Sequence, residues 1–492
     1  MEGLNRSTAP DGILTVKTRP ETGIVHIGLG NFHRAHFSVY TADAVANSGG
    51  DWGIFAYSMR SKKISDDMSK QDLLYSVVTI SPDISKVHIP GIHTGVAAGP
   101  EEIERVLTEI SAHHTKILSL TVTEAGYNIS QSTGGLDLES PDVRSDLEGN
   151  PPKTAIGLVV RGLQLRALDH NLPITVLSCD NLSHNGEKTA RLVREFVAAL
   201  PEAESLSLMT YIANFVSFPN SMVDRIVPGT EAKHLEMAAD ALRLTDLTPV
   251  PAEPFGMWII EDDFKAGRPA WESAGAVFSD EVDKYEIMKL RLLNGGHSLI
   301  AYLGGLDKCQ TIPDSRFTPH IESALKRILF DEFLPSLTMP QGLRAEDYIE
   351  ALFSRWSNTV LGDRTSRVGS DGSTKLPQRI TEVVLSQHAR GEVPRFVALT
   401  VASWLACVAP INGFNPGEVA AEMKDPHKLW LMECAERYSS VSDFVDEVFN
   451  SKKIFSAEIA GAKPFVDEVA RLLQSIMDKG GEATTRELIA GE

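Results

Sequence analysis

The stretch "GIVHIGLGNFHRAH", residues 23–36, decides the fold. It begins as a buried strand, ends that strand in glycines, and runs into a helical pattern over residues 33–46. In a dinucleotide-binding turn the first glycine permits a sharp bend. The second lets the backbone approach a pyrophosphate seated on the helix N-terminus. Gly28 and Gly30 fill those places, and His33 stands where G-x-G-x-x-G has its third small residue. Two other readings of the stretch are a strand-to-helix turn that holds no ligand, and a metal pair formed by His33 and His36. The metal pair lacks an evident third ligand.

Working outward, "WGIFAYSM" (residues 52–59), "KILSLTVTEAGY" (116–127) and "ITVLSCDN" (174–181) are further strand candidates, the last preceded by a helical run over 154–168. Strands separated by helices predict βαβ crossovers and a mainly parallel sheet. The polar segment 130–153 lacks apolar periodicity and is expected to be a surface loop. Beyond about residue 285 helical periodicity dominates, at 321–333, 376–390, 396–409 and 441–449, and the tail from Gly480 looks loose. The expected architecture is α/β: an extended Rossmann-type domain over residues 1–280, then a mostly α-helical domain over 281–492.

The totals narrow the function. At 492 residues the chain exceeds one ordinary core. A formal net charge of -19 argues against nucleic-acid and anionic-membrane partners, which want Lys/Arg-rich faces. Cys179, Cys309, Cys407 and Cys434 are dispersed and suggest neither a zinc ribbon nor a disulfide framework. There is no signal-peptide core, and no apolar run approaches the roughly 18 residues of a membrane span. A reduced, cytoplasmic location is expected.

The chemistry concentrates in "KLRLLNGGHSLIAYLGGL", residues 289–306. Its leucines recur at helical spacing, yet adjacent glycines cost roughly 1 kcal/mol each relative to Ala. At 100° per residue, Lys289, Asn294 and His297 fall within an arc of about 140°. A partly desolvated Lys can serve as a general base, an Asn can donate to a developing oxyanion, and a His can orient a hydroxyl. The glycines would let a substrate or a strand approach the backbone. That set suits alcohol oxidation or carbonyl reduction without a metal. The alternative is an amphipathic helix with a snorkelling Lys and a core-satisfied His.

Other polar residues sit at element ends, where α/β sites are built. Asn181 could supply a second oxyanion donor. Asp224 could order polar partners or cap a turn, and Glu124 could touch a nicotinamide or remain an exposed acid. Arg367 and Lys375 lie in a Gly/Ser-rich loop, "RTSRVGSDGSTK", that could close on a polar substrate or simply be solvated. After the second strand, "YSMRSKK" offers Arg60, Lys62 and Lys63 and no acid until Asp66. That turn suits the 2′-phosphate of NADP, or is merely a solvated basic turn.

Taken together, "GIVHIGLGNFHRAH", "SLTVTEAGY", "SCDNLSHNG", "FPNSMVDRI", "IIEDDFKAGRPAWE" and "KLRLLNGGHSLIAYLG" resemble, in that order and over nearly the whole chain, the polyol-specific long-chain dehydrogenases. This is the family of mannitol 2-dehydrogenase and the hexuronate reductases. The resemblance implies that Lys289 is the base of a zinc-independent alcohol dehydrogenase. Asn181 and Asn294 would polarise the substrate oxygen, His297 would orient the substrate, and Glu286 would link Lys289 to solvent for proton passage. Asp224, Arg367 and Lys375 would contact the substrate. Gly28, Gly30, Asn31 and Phe32 match the family's own turn, G-x-G-x-F-x-R-x-H, so His33 is no departure from it. With Arg60 and Glu124 they would hold the cofactor, NAD first and NADP as the alternative. The resemblance further implies a monomer with its active site between the two domains. The substrate would be a linear polyol or its ketose, D-mannitol and D-fructose first. Fructuronate/mannonate and D-arabinitol are the alternatives, and the sugar-phosphate branch fits less well because its turn lacks "FHRAH". A catalytically silent dinucleotide sensor and a metal-dependent dehydrogenase are the readings from outside this class.

Overall fold

A computed structural model describes residues 1–82, 85–130 and 132–491. The chain forms two compact units, Met1–Asp283 and Lys284–Glu492. In chain order the strands are β1 (Thr22–Ile27), β2 (Gly53–Ser58), β3 (Val77–Ile80), β4 (Ser85–His88), β5 (His93–Ala98), β6 (Ile117–Leu120), β7 (Ile174–Ser178), β8 (Val216–Ser217), β9 (Ser221–Asp224), β10 (Val250–Ala252), β11 (Met257–Ile260) and β12 (Val277–Phe278).

The main sheet has six strands in the order β5-β2-β1-β6-β7-β8, and every neighbouring pair is parallel. Counted among themselves the strands run 3-2-1-4-5-6, the doubly wound order whose direction reverses between β1 and β6. The apolar runs have a physical reason, because both faces of the sheet are covered. Val25 and Ile27 of β1 face one core with Leu118, Leu120 and Val176. Ile24 faces the other, with Ile54, Ile117, Trp258 and Trp271. Strands buried on both sides carry continuous rather than alternating apolar sequence. Two small sheets, β10-β3-β4 and β12-β11-β9, complete the unit. Strands β5 and β8 and both small sheets escaped the sequence reading.

Three local expectations are corrected. The helix expected over residues 33–46 is two helices, Asn31–Ala35 and Phe37–Ser48, broken at His36, whose φ of -118° and ψ of -79° leave the helical track. The polar segment 130–153 holds the helix Pro141–Leu147. Its buried Asp146 accepts from the backbone of Lys153 and Thr154 and from the Thr154 hydroxyl at 2.7–3.0 Å, which folds the segment back on itself; Gln131 lies outside the described residues. The tail beyond Gly480 is not loose: the helical stretch Lys463–Ala490 merely turns at Gly480, where φ is 87°. Thr484, Thr485 and Leu488 are buried beyond the turn, so packing that is invisible in composition holds the tail.

The second unit is helical, as expected. Its central helix, Arg395–Val408, is buried from Phe396 to Val408, and it packs on Gly296–Leu306 and Lys463–Ala490. A helix apolar on every side is an interior helix. Among the described residues no helix is long and apolar enough to cross a membrane.

The N-terminus of that central helix is held by Glu332, whose two carboxylate oxygens accept from Phe396 N at 2.8 Å and Val397 N at 2.7 Å. Glu332 lies in a π-helical turn, Ile328–Phe333. Burial pushes its carboxyl up from 4.5 to about 8, against the pull of these N–H donors. A carboxyl whose folded pKa is raised holds its proton more tightly when folded. Its contribution to stability is therefore complete below about pH 4.5 and is lost as pH rises through about 8. Denaturant midpoints taken between pH 5 and pH 8 should fall with rising pH, and Glu332→Gln should flatten that slope.

Candidate active site

At the end of β1, Gly28 adopts φ 116°. A Cβ there would collide with the carbonyl oxygen of Thr121 at the end of β6, whereas one on Gly30 would meet nothing within 4 Å. The first glycine is thus demanded by its own fold, and the second leaves open space over the N-terminus of Asn31–Ala35. That arrangement fits a pyrophosphate cradle. Asn31 and Phe32 are engaged locally. The Asn31 amide donates to Pro228 O at 3.0 Å and accepts from the Arg34 guanidinium at 2.7 Å. The Phe32 ring stacks on His36 at 4.8 Å.

His33, in the third fingerprint position, is fully buried, stacks on His26 of β1 at 3.7 Å and shares a 3.0 Å hydrogen bond with His93. Helix and strand therefore meet through imidazoles where a glycine usually allows contact. Burial drives His33 and His26 well below the usual histidine range and His93 to about 3, so all three stay neutral. His36 packs on Tyr40 and Trp258, so the two rings of the alternative metal reading engage different neighbours. Among the described residues the one grouping with metal-ligand geometry is His113, Asp169 and His170. There both His170 nitrogens are already engaged, with Ser111 O at 2.9 Å and Leu172 N at 3.0 Å.

The carboxyl ends of β6, β7 and β9 carry Glu124, Asn181 and Asp224. Two residues that sequence reasoning passed over tie these ends together. The buried carboxylate of Asp180 accepts from Val122 N and Thr123 N at 2.9 Å and from the Tyr127 hydroxyl at 2.8 Å. It anchors the turn in which Thr123 adopts φ 66° and from which Glu124 stands exposed. Burial raises the Asp180 carboxyl and these donors counter it. The buried Asn185 amide donates to Ser221 O at 2.8 Å and Asp180 O at 3.1 Å, and its oxygen accepts from Ser221 N at 2.9 Å. This fastens the start of β9, and so Asp224 at its end, to the segment bearing Asn181. Both residues lie within the quoted "SCDNLSHNG"; their mere adjacency to Asn181 was the available signal.

In the second unit the chain runs from the helix Val282–Met288, which carries Glu286, through a π-helical stretch, Lys289–Gly295, into Gly296–Leu306. A regular α-helix was expected here. In a π-helix hydrogen bonds span five residues, so Asn294 stacks over Lys289, where 100° steps would hold them about 140° apart. His297, three residues on, continues the same face. Glu286, Lys289, Asn294 and His297 are all partly buried, while Leu292, Leu293 and Leu299 on other sides are buried. The His297 ring meets Trp356 edge-on at 5.6 Å. The glycines serve packing, contrary to expectation: a Cβ on Gly295 would lie 2.6 Å from the Phe333 ring and one on Gly296 2.8 Å from Trp356.

Arg367 is 67% exposed and ion-paired to Asp363. Lys375 donates to Ser370 O at 2.7 Å with Asp371 at 3.7 Å, and burial followed by the neighbouring Arg379 lowers its pKa. Of the basic turn after β2, Lys62 pairs with Glu101 and Lys63 with Asp67. Among the described residues, that leaves Arg60 as the member of the trio without an ion pair.

Sequence comparison agrees with this architecture in both units. The description "Mannitol dehydrogenase Rossmann domain" matches residues 22–273, and "Mannitol dehydrogenase C-terminal domain" matches 281–477. The chain belongs to the mannitol dehydrogenase family. It is an oxidoreductase of the kind that acts on secondary alcohols. The D-mannonate oxidoreductase of Escherichia coli (strain K12) is 36% identical over 94% of this chain and 95% of its own length. The mannitol 2-dehydrogenase of Cereibacter sphaeroides is 34% identical over 95% of this chain and 96% of its own length. Among solved structures, the Pseudomonas fluorescens mannitol 2-dehydrogenase in ternary complex with NAD and D-mannitol superposes with a TM-score of 0.84 at 31% identity, covering 100% of both chains.

The two turn glycines should separate fold from cofactor. Gly28→Ala should lower the melting temperature markedly, because strain and collision coincide there. Gly30→Val should leave it nearly unchanged and weaken dinucleotide binding, read by titrating reduced-cofactor fluorescence. Asp180→Ala leaves two backbone N–H groups without their acceptor and the Tyr127 hydroxyl with Ser178 alone, and should cost at least ~2 kcal/mol in denaturant unfolding.

Proposed function

We propose that this chain is an NAD-dependent dehydrogenase that interconverts a secondary alcohol of an open-chain sugar derivative and its ketone, with Lys289 as general base. The observation that carries the proposal is the shared face of Lys289, Asn294 and His297 across the π-to-α transition, in a chain of this family. Lys289 removes the hydroxyl proton as the alcohol is oxidised and returns it on reduction. Asn294 and Asn181 donate hydrogen bonds to the oxygen as charge develops on it. His297 orients the hydroxyl, and Glu286, one turn before Lys289, passes the proton toward solvent. Asp224, Arg367 and Lys375 contact the rest of the substrate.

Gly28, Gly30, Asn31, Phe32, Arg60 and Glu124 belong to the cofactor end. The bound nicotinamide supplies the hydride acceptor. NAD is preferred over NADP because two of the three cations after β2 are already paired, leaving Arg60 alone for a 2′-phosphate. D-Mannitol and D-fructose are the first substrate pair, supported by the Cereibacter sphaeroides relative and by the Pseudomonas fluorescens complex. A second reading, D-mannonate and D-fructuronate, draws support from the 36% identity to the Escherichia coli D-mannonate oxidoreductase. D-Arabinitol is the third candidate.

Nicotinamide absorbance with D-mannitol, D-arabinitol and D-mannonate, each with NAD+ and with NADP+, tests the proposal. Turnover of at least one with NAD+ is expected, and silence on all three would remove the substrate assignment. Lys289→Ala should lower kcat by about 10²–10⁴ while reduced cofactor still binds. An unchanged kcat would displace Lys289 as the base.

A further inference from the structure

Three cations cluster in the second unit beside the proposed catalytic face, and their charge balance is unequal. Arg367 is paired with Asp363. Lys375 has Asp371 at 3.7 Å and the Ser370 carbonyl. Arg379, one turn beyond Lys375 on the helix Gly372–Ala389, has no carboxylate partner among the described residues. Its one hydrogen bond there runs from Nη1 to Ser298 Oγ at 2.7 Å. Most of the donors of its guanidinium fork therefore have no protein acceptor.

Burial lowers the Arg379 pKa to about 10, with the Tyr302 hydroxyl opposing that shift and no acid doing so. The side chain is partly buried, and its free donors, which are not enclosed by protein atoms, remain open to a ligand. Its position is also specific. Ser298 follows His297 directly and donates from its hydroxyl to Asn294 O at 3.4 Å. Arg379 is thus joined through one side chain to the turn that bears Asn294 and His297. The helix holding it packs on Lys289–Gly295.

We infer that Arg379 anchors a substrate carboxylate, so that the alcohol this chain oxidises is carried by a sugar acid. The inference rests on the reading of Lys289, Asn294 and His297 as the reacting face. It deepens that reading by choosing between its two substrate classes. A planar fork of parallel donors matches a carboxylate two-to-two, and the uncompensated charge is neutralised only by an anion. A neutral polyol would leave the charge uncompensated. Arg367, the residue that the sequence suggested for this task, is already held by Asp363 and exposed. Nothing in the sequence around Arg379 shows that it lacks a partner; the signal is its spacing of four from Lys375.

The test uses the full-length chain, with Arg379→Met and Arg379→Lys beside wild type. Two quantities are measured: kcat/KM for D-mannonate relative to D-mannitol, and calorimetric binding of D-mannonate in the presence of reduced cofactor. Wild type should prefer D-mannonate. Arg379→Met should lower that preference roughly a hundredfold, the scale of an unpaired buried charge, through KM for D-mannonate, and Arg379→Lys should restore part of it. A wild type that oxidises D-mannitol and ignores D-mannonate overturns the inference and leaves the dehydrogenase standing. Equal losses on both substrates also overturn it, because they would make Arg379 a prop for the helix at Ser298. If neither substrate turns over but D-mannonate binds in an Arg379-dependent way, the anchor survives and the reading of Lys289 falls. Binding indifferent to Arg379 sinks the anchor regardless of turnover.

Discussion

At the end of β1 the chain passes so close to the Thr121 carbonyl that no side chain fits on Gly28. Much of the first unit follows from that approach. It occurs between β1 and β6, where the strand order reverses, which is the place doubly wound sheets use for ligands. The continuous apolar strands, the helices on both faces and the open space above Gly30 are consistent with one requirement. A backbone turn must be presented beside the first helix with nothing in front of it. The neutral histidine stack beneath the turn supports the same contact, and burial removes the charge that would otherwise disrupt it.

The polar residues at the carboxyl ends of the strands are not independent loops. Asp180 gathers two backbone N–H groups and the Tyr127 hydroxyl, while Asn185 bridges the segment after β7 and the start of β9. Buried polar groups of this kind stabilise only when they are satisfied. Here their satisfaction doubles as positioning, since Glu124, Asn181 and Asp224 each sit within a few residues of a bond made by one of the two.

The second unit meets a similar demand with helices. A π-helical stretch is a poorer hydrogen-bonding arrangement than an α-helix and often marks a functional position. In Lys289–Gly295 it aligns a Lys and an Asn that an α-helix would splay, while Gly295 and Gly296 admit the rings of Phe333 and Trp356. The weak, glycine-broken pattern of the segment is therefore the combined result of a polar face and tight aromatic packing.

The sequence by itself determined what contiguous residues can carry: the α/β class, the turn at Gly28 and Gly30, the change to helices near residue 285, and the segment bearing Lys289, Asn294 and His297. Each is a local period, a backbone requirement or a run of motifs, and each survives without knowledge of neighbours in space. Tertiary structure decided the rest. The π register, the break at His36, the ordered tail beyond Gly480, and the anchoring by Asp180 and Asn185 all depend on partners elsewhere in the chain. The same holds for charge: Arg367 and Arg379 are indistinguishable as letters, and one is neutralised by Asp363 while the other faces Ser298. Whether a charge is compensated is a property of the space around it, which no local pattern records.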